Sequence, residues 1–343
     1  MRIGLVYDRF GDAEPPPGAP PDWDAEYEPE ETVAALEAAV RRLGHEPVRV
    51  GNARALLAAM AEGPLELDAA VNVAESYGSR NREAHAPVLL ELAGVPALGS
   101  DALALSVSLD KHLTKVVARH AGVATPDGRV VRTGADLNGL GLRFPVFVKP
   151  RYEGTAKGIA PSSRCDTAQA LAAEVDRQRG LYGQDLLVEA FVAGAEFTVG
   201  VVGTGEGARA LPVLQRATER ETGIGLHALE RWERAERPFA YSVEGALAPD
   251  LEDRLAAAAV AVHRALECRD FSRSDFRVDA AGGVWFIEIN PLPTFAPDGT
   301  FAILAELVGE PYEAFLAGVL QEGLARLGLS PAAGSENGSG ARR

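Results

Sequence analysis

Between Arg273 and Asn290 the chain reads RSDFRVDAAGGVWFIEIN, a run whose residue types suit metal and phosphate chemistry. Two strand-like stretches, Asp275–Asp279 and Val284–Ile289, flank Ala280-Ala281-Gly282-Gly283, so a β-hairpin is expected. A four-residue loop then sets Asp275 opposite Glu288 and Arg273 opposite Asn290. Side chains alternate along a strand, so these four share a face with Arg277 and Phe286, while Phe276, Val278, Trp285, Ile287 and Ile289 form an apolar face. Directly opposed carboxylates repel by a few tenths to about 1 kcal/mol, and a cation relieves that. Two carboxylates and an amide oxygen are hard ligands, suited to Mg²⁺ shared with a phosphate. The same face also reads as a solvated sheet whose acids pair with Arg273 and Arg277. The hairpin alone leaves both readings open.

Three other places carry candidate chemistry. Lys149 ends the apolar stretch Pro145–Lys149 and opens the loop Pro150–Ile159, where glycines let backbone N–H groups approach phosphate oxygens. That loop is not the GxxxxGK[ST] phosphate motif, and it also reads as an ordinary surface turn. Lys111 follows Ser108-Leu109-Asp110 at a helix start. In LVEAFVAGAE, Glu189 and Glu196 could accept hydrogen bonds from an adenine amino group and ribose hydroxyls, with a backbone amide near Val192 serving a ring nitrogen. Two solvated acids at a strand edge is the other reading.

The elements that must position these residues follow from periodicity. Ile3–Asp8, Pro47–Val50 and Leu67–Val73 read as strands. Between them Val33, Leu36, Val40 and Leu43 recur at helical spacing and Gly44 stands at a helix end; a further helix is expected over Arg82–Ala93. This order predicts an open parallel α/β sheet, with ligands beyond the carboxyl ends of its strands. A helix from Ser108, the strand ending at Lys149 and a helix capped near Asp166-Thr167-Ala168-Gln169 and ending at Gly180 follow. Strands then dominate: Leu186–Ala190, Glu196–Val202, Ala208–Leu214 and the hairpin, with helices near 250–267 and 300–327. The expected organisation is an N-terminal α/β substrate-side domain (1–105), a central subdomain (106–185), a C-terminal metal-site domain (186–329) and a disordered Gly/Ser-rich tail (330–343).

A chain of 343 residues has room for two or three domains. Its net charge of −15 argues against a nucleic-acid partner, whose affinity rests on Lys and Arg. No apolar run reaches membrane-spanning length, and the start MRIGLVYDRF is not a signal peptide, so a cytoplasmic protein without a membrane partner is expected. Cys165 and Cys268 match no metal spacing and read as reduced thiols.

Four segments together resemble the ATP-grasp superfamily and, within it, the D-alanine–D-alanine ligases: LDKHLTKVVARHAGVATP, FPVFVKPRYEGTAKGI, LLVEAFVAGAEFTVGVVG and FSRSDFRVDAAGGVWFIEINPLP. The resemblance implies an ATP-grasp fold, α/β and α+β, behind the N-terminal open parallel domain. It implies that Lys111 and Lys149 hold ATP phosphates under the loop of Glu153, Gly154, Thr155 and Ala156. Glu189, the Val192 backbone and Glu196 hold the nucleoside. Asp275, Glu288 and Asn290 bind Mg²⁺, with Mn²⁺ a possible substitute, and Arg273 stabilises the transition state. The implied reaction joins a carboxylate to an amine, both small molecules, through an acylphosphate. Such a ligase using L-amino acids or another amine, or an ATP-grasp kinase without an amine step, are the alternatives. The resemblance also implies a homodimer. Glu31, or alternatively Glu30, maps to the acid that meets the first substrate's ammonium; acids favoured at a helix start are the plain reading. Thr294 stands where an oxyanion-hole glycine is expected and Gly299-Thr300 where a Ser-Leu carboxylate grip is expected. Arg80 or Arg82 is a candidate for binding a substrate carboxylate.

Overall fold

The computed structural model describes residues 1–225, 227–229, 241–242 and 248–329; the expected disordered tail lies outside them. Among the described residues three four-stranded sheets organise the chain. The first runs β2-β1-β3-β4, from β1 (Arg2–Tyr7), β2 (Glu46–Gly51), β3 (Ala69–Val73) and β4 (Ala97–Leu98), all parallel. Alternation decides its two faces. Ile3, Leu5 and Tyr7 pack with Leu36 and Val40 of α1 (Glu30–Arg42). Val6 packs the other way, with Leu56 of α2 (Ala53–Glu62) and Leu90 of α3 (His85–Leu92). α3 starts later than the sequence suggests, because residues 82–84 form a single 3₁₀ turn first.

The single helix expected from Ser108 is two, α4 (Ala102–Leu109) and α5 (Lys111–His120). Asp110 interrupts them in an extended conformation; its Oδ1 caps α5 by accepting from the His112 and Leu113 amides, and the carboxylate also pairs with Arg151. The second sheet is antiparallel, ordered β5-β8-β6-β7, from β5 (Gly128–Val131), β6 (Val146–Pro150), β7 (Arg164–Cys165) and β8 (Leu186–Ala190). β8 therefore belongs with the central strands, not with the C-terminal region where the boundary after 185 would leave it. The reason is packing: Leu186 and Val188 share a core with Val146, Val148 and Leu171 of α6 (Ala168–Tyr182). Thr167, not Asp166, caps α6, and Gly183 in the left-handed region, not Gly180, ends it.

The third sheet runs β10-β9-β13-β14, from β9 (Ala195–Val202), β10 (Arg209–Arg216), β13 (Phe271–Val278) and β14 (Val284–Asn290). A short pair, β11 (Thr218–Glu219) with β12 (Tyr241–Ser242), lies beside it in the chain. α7 (Pro249–Ala265) covers the apolar face, where Leu255, Ala259 and Val262 meet Phe276 and Phe286. The last expected helix is also two, α8 (Thr300–Leu307) and α9 (Tyr312–Arg326), separated by Gly309 in the left-handed region. α9 returns to the first sheet: Leu316 and Leu320 join the core of Ile3, Leu36, Phe271 and Phe301. Asp270 fastens the same junction, accepting from the Gly99 amide at 2.8 Å and pairing with Arg326 at 2.7 Å. Between β8 and β9 the chain crosses β13 at Gly194, whose φ is +133° and where a Cβ would stand 2.0 Å from the Val278 carbonyl oxygen. Only glycine fits there.

Both cysteines are buried and free, and burial pushes each thiol up to about 12. His263 of α7 is fully buried, with Nδ1 2.7 Å from Ser272 Oγ and Nε2 3.2 Å from the Gly203 carbonyl. A carbonyl only accepts, so Nε2 carries the proton and Nδ1 accepts from the hydroxyl. Burial lowers this imidazole from 6.5 to about 4. Between those values the unfolded chain binds the extra proton, so stability falls as pH drops from 6.5 to 4. We expect His263 to account for about 3 kcal/mol of that loss, and His263→Gln to flatten the pH dependence in urea titrations.

Candidate active site

The hairpin reaches its expected register by two departures that cancel. β13 and β14 pair Val278 with Val284, so the connecting loop has five residues, Asp279 to Gly283, rather than four. Asp279 closes it, its Oδ1 accepting from the Ala281 and Gly283 amides and its Oδ2 from the Trp285 indole at 2.7 Å. A β-bulge then follows: Phe276 faces Phe286, yet Asp275 faces Glu288, leaving Ile287 as the extra residue. Beyond the bulge Arg273 stands opposite Asn290, as expected from sequence. The faces nearest the loop are corrected, however. Phe286 is fully buried in the core with Phe276, and Ile287 turns to the cavity.

That cavity, of about 340 Å³, is lined by most of the candidate residues: Lys111, Lys149, Glu153, Thr155, Ala156, Glu189, Val192, Glu196, Arg273, Asp275, Glu288 and Asn290. Gly154 lies in the same loop, its amide donating to Glu26 Oε1 at 2.6 Å. Each element's pattern explains the delivery. Along β6, Val146 and Val148 enter the core, so Phe147 and Lys149 face the cavity; β8 does the same with Glu189 opposite Phe147. α5 brings Lys111 at its first turn, with Nζ 3.6 Å from Glu288 Oε2 and donating to the Glu153 carbonyl.

Charges alternate through the site. Glu189, buried, takes Lys149 Nζ at 2.8 Å on one oxygen and Lys115 Nζ at 3.0 Å on the other. Burial alone raises a carboxyl, but these two ammonium groups outweigh it and hold Glu189 below its ordinary value. Glu288 behaves alike: burial raises it, yet Lys111, Lys149, Arg273 and Lys115 bring it down to about 2. Asp275 accepts from Thr198 Oγ1 at 2.7 Å and pairs with Arg273 at 3.1 Å. Arg277 donates to the Val192 and Gly223 carbonyls, pairs with Glu196 at 3.2 Å and covers the Phe191 ring. It thereby stitches the linker carrying Val192 to the β13–β14 hairpin.

Among the described residues no group of three or more His, Cys, Asp or Glu side chains gathers as a metal site. The donor set at the hairpin still fits Mg²⁺: two carboxylates, and an Asn290 Oδ1 that accepts from the Leu292 amide with a lone pair to spare. Such a set supplies few ligands by itself and suits an ion shared with phosphates.

Glu31 is not part of this cavity. Thr32, Val33 and Leu36 turn inward along α1, which leaves Glu31 on the exposed side, and Glu30 is committed to Arg9 and Arg49. Acids near it that do line the cavity are Glu26, in the turns before α1, Glu28, at the bridge that follows them, and Glu75 after β3; the Glu28 amide donates to the Asp8 carbonyl and the Phe10 amide to the Glu28 carbonyl. Glu28, raised mainly by burial, accepts from Thr294 Oγ1 at 2.7 Å. Arg82 is bound to Glu26 and to the Tyr152 carbonyl, and Arg80 is exposed over the Tyr152 ring; neither lines the cavity. Thr300 is buried and accepts from Arg216. Sequence reasoning assigned no role to Lys115, Lys157, Glu26, Glu28 or Arg277 at the site; for Lys115 the signal was its place one turn after Lys111.

Residues 136–321 match the family model described as the D-ala D-ala ligase C-terminus. A D-alanine–D-alanine ligase of Bordetella petrii is 32% identical over 253 residues, 72% of this chain and 73% of the relative. The chain belongs to the D-alanine–D-alanine ligase family. It is an ATP-dependent ligase that forms an amide, a C–N bond. The uncharacterised protein y4sG of Sinorhizobium fredii is 32% identical over 329 residues, 92% of each chain. The crystal structure of a Bacillus anthracis D-alanine–D-alanine ligase complexed with ATP shares the ATP-grasp fold, with a TM-score of 0.67 at 19% identity over 96% of this chain and 99% of that one.

Lys115 donates to the Ile287 carbonyl at 2.8 Å and the Phe286 carbonyl at 3.3 Å, so it holds the bulge as well as Glu189. Lys115→Met should cost about 3–5 kcal/mol in chemical denaturation, the cost of breaking a buried pair, and should raise the KM for ATP.

Proposed function

We propose that this ligase binds ATP with Mg²⁺ at Asp275, Glu288 and Asn290 and joins an amino acid, taken as carboxylate donor, to the amine of a second small molecule. The observation that carries the reading is that one cavity is lined by that hairpin, by Lys111 and Lys149 and by Glu28. Lys111 and Lys149 neutralise phosphate oxygens, and Glu189, Glu196 and the Val192 backbone receive the nucleoside. Glu28, in place of Glu31, orients the donor's ammonium. The bound metal supplies charge neutralisation of the transferring phosphoryl group. Arg273 stabilises charge that develops on the phosphoryl and acyl oxygens.

The donor's carboxylate oxygen attacks the γ-phosphorus and ADP leaves. The acceptor nitrogen then attacks the acyl carbon, releases phosphate and loses its proton. Closure of the 153–158 loop keeps water from the acylphosphate. The reading carries with it small-molecule partners alone, a homodimer and a cytoplasmic location. Among the described residues no helix is long and apolar enough to cross a membrane.

The acceptor is where this chain parts from a D-alanine dimerising site. Thr294 ties itself to Glu28, and the Thr300 hydroxyl takes Arg216. We therefore favour an acceptor other than D-alanine, and a panel of D-amino acids, L-amino acids and simple amines, read by mass spectrometry for an amide product, tests it. Asp275→Asn and Glu288→Gln should each lower Mg²⁺-dependent amide formation at least about 100-fold, with an unchanged circular dichroism spectrum. Near-normal turnover by either variant would overturn the metal assignment.

A further inference from the structure

Lys157 stands in the glycine-rich loop, where a lysine reads first as a phosphate ligand, yet its side chain is spent elsewhere. It is 2% exposed. Its Nζ lies 3.1 Å from Glu26 Oε2 and 3.4 Å from the Trp23 carbonyl, pairs with Glu153, and sits 5.6 Å from the centre of the Tyr77 ring. The loop's backbone is held by the same segment: the Gly154 amide donates to Glu26 Oε1 at 2.6 Å and the Gly158 amide to Asp22 Oδ2 at 3.2 Å. Arg82 closes the ring, pairing with Glu26 at 2.7 Å while donating to the Tyr152 carbonyl at 2.6 Å. Between these anchors Thr155 and Ala156 adopt left-handed conformations, φ +45° and +53°, that non-glycine residues hold only when their surroundings fix them.

We propose that Lys157 is a positioning residue that pins the glycine-rich loop to a strap formed by residues 22–28, so that loop closure over the nucleotide and the Glu28 end of the cavity move as one unit. A loop unpinned from the strap would open independently and admit water to the activated acyl group. The activity arm of the test rests on the ligase reading; the exchange arm does not.

In the ligand-free full chain, amide hydrogen exchange over 154–158 should speed by at least about tenfold in Lys157→Met and in Glu26→Gln, while α9 is unchanged. Lys157→Arg should keep slow exchange. The Lys157→Met/Glu26→Gln double variant should add little to either single change, because one contact is lost in all three. During turnover the amide formed per phosphate released should fall severalfold in Lys157→Met and recover in Lys157→Arg. Unchanged loop exchange in both single variants would overturn the proposal. So would a raised KM for ATP with an unchanged amide-to-phosphate ratio, which would make Lys157 a phosphate ligand. If the wild-type protein forms no amide with any substrate pair, the ligase reading fails and the exchange arm alone decides the role of Lys157.

Discussion

The site depends on a carboxylate, Glu189, buried between the ammonium groups of Lys115 and Lys149. An ion in so apolar a place is tenable only while its partners stay, since removing one leaves a buried charge uncompensated. Those partners come from different parts of the chain: Lys149 from the central sheet, and Lys115 from a helix that also grips the bulged strand of the third sheet. The three groups therefore fix how the central sheet and the β13–β14 hairpin stand to one another. The bulge that turns Glu288 into the cavity is held by the same Lys115.

The lining cations mostly have lining acids: Lys111 with Glu288, Arg273 with Asp275, Arg277 with Glu196, Lys157 with Glu26 and Glu153. On the proposed reading a triphosphate with its metal entering this cavity would exchange partners and would not meet bare charge. On that reading Asp275 and Glu288 would hold the metal, which would leave Lys111 and Arg273 available to phosphoryl and acyl oxygens. Preorganisation of this kind lowers the reorganisation needed when charge develops during transfer.

Much of this was legible in the sequence where local chemistry decides it. Lys111 and Lys149 stand at element ends that periodicity reveals, and alternation along β6 and β8 sends Lys149 and Glu189 to the same side. The hairpin register was legible for a less direct reason: the longer loop and the bulge cancel, so the expected pairing of Asp275 with Glu288 holds while the expected face of Phe286 does not. A bulge has no signature in alternation alone, because it breaks the alternation it is read from. Glu31 failed for a related reason. Helix periodicity shows which residues of α1 face the core, but not that the turns before it bring Glu28 alongside Asp8–Phe10, just past β1. Lys115 was hidden because a lysine at helical spacing from Lys111 looks like a solvated face until the partner strand is known.

The N-terminal segment and the hairpin meet at one further contact, the hydrogen bond from Thr294 to Glu28. Thr294 lies four residues beyond Asn290 in the chain, and Glu28 two residues beyond Glu26. The Glu28 end of the cavity is thus bounded on one side by residues 22–28, which contact the glycine-rich loop, and on the other by the segment that follows β14. If the proposed coupling holds, substitutions in the 22–28 stretch would act on both the loop and the donor pocket, so donor choice and loop closure would be difficult to change separately. Chains of this fold that take different donors would then be expected to differ together in this segment and in the loop facing it. In this chain the pairing of Glu26 with Lys157 is such a matched set: losing either residue leaves the other buried with one charged partner fewer, Arg82 for Glu26 and Glu153 for Lys157.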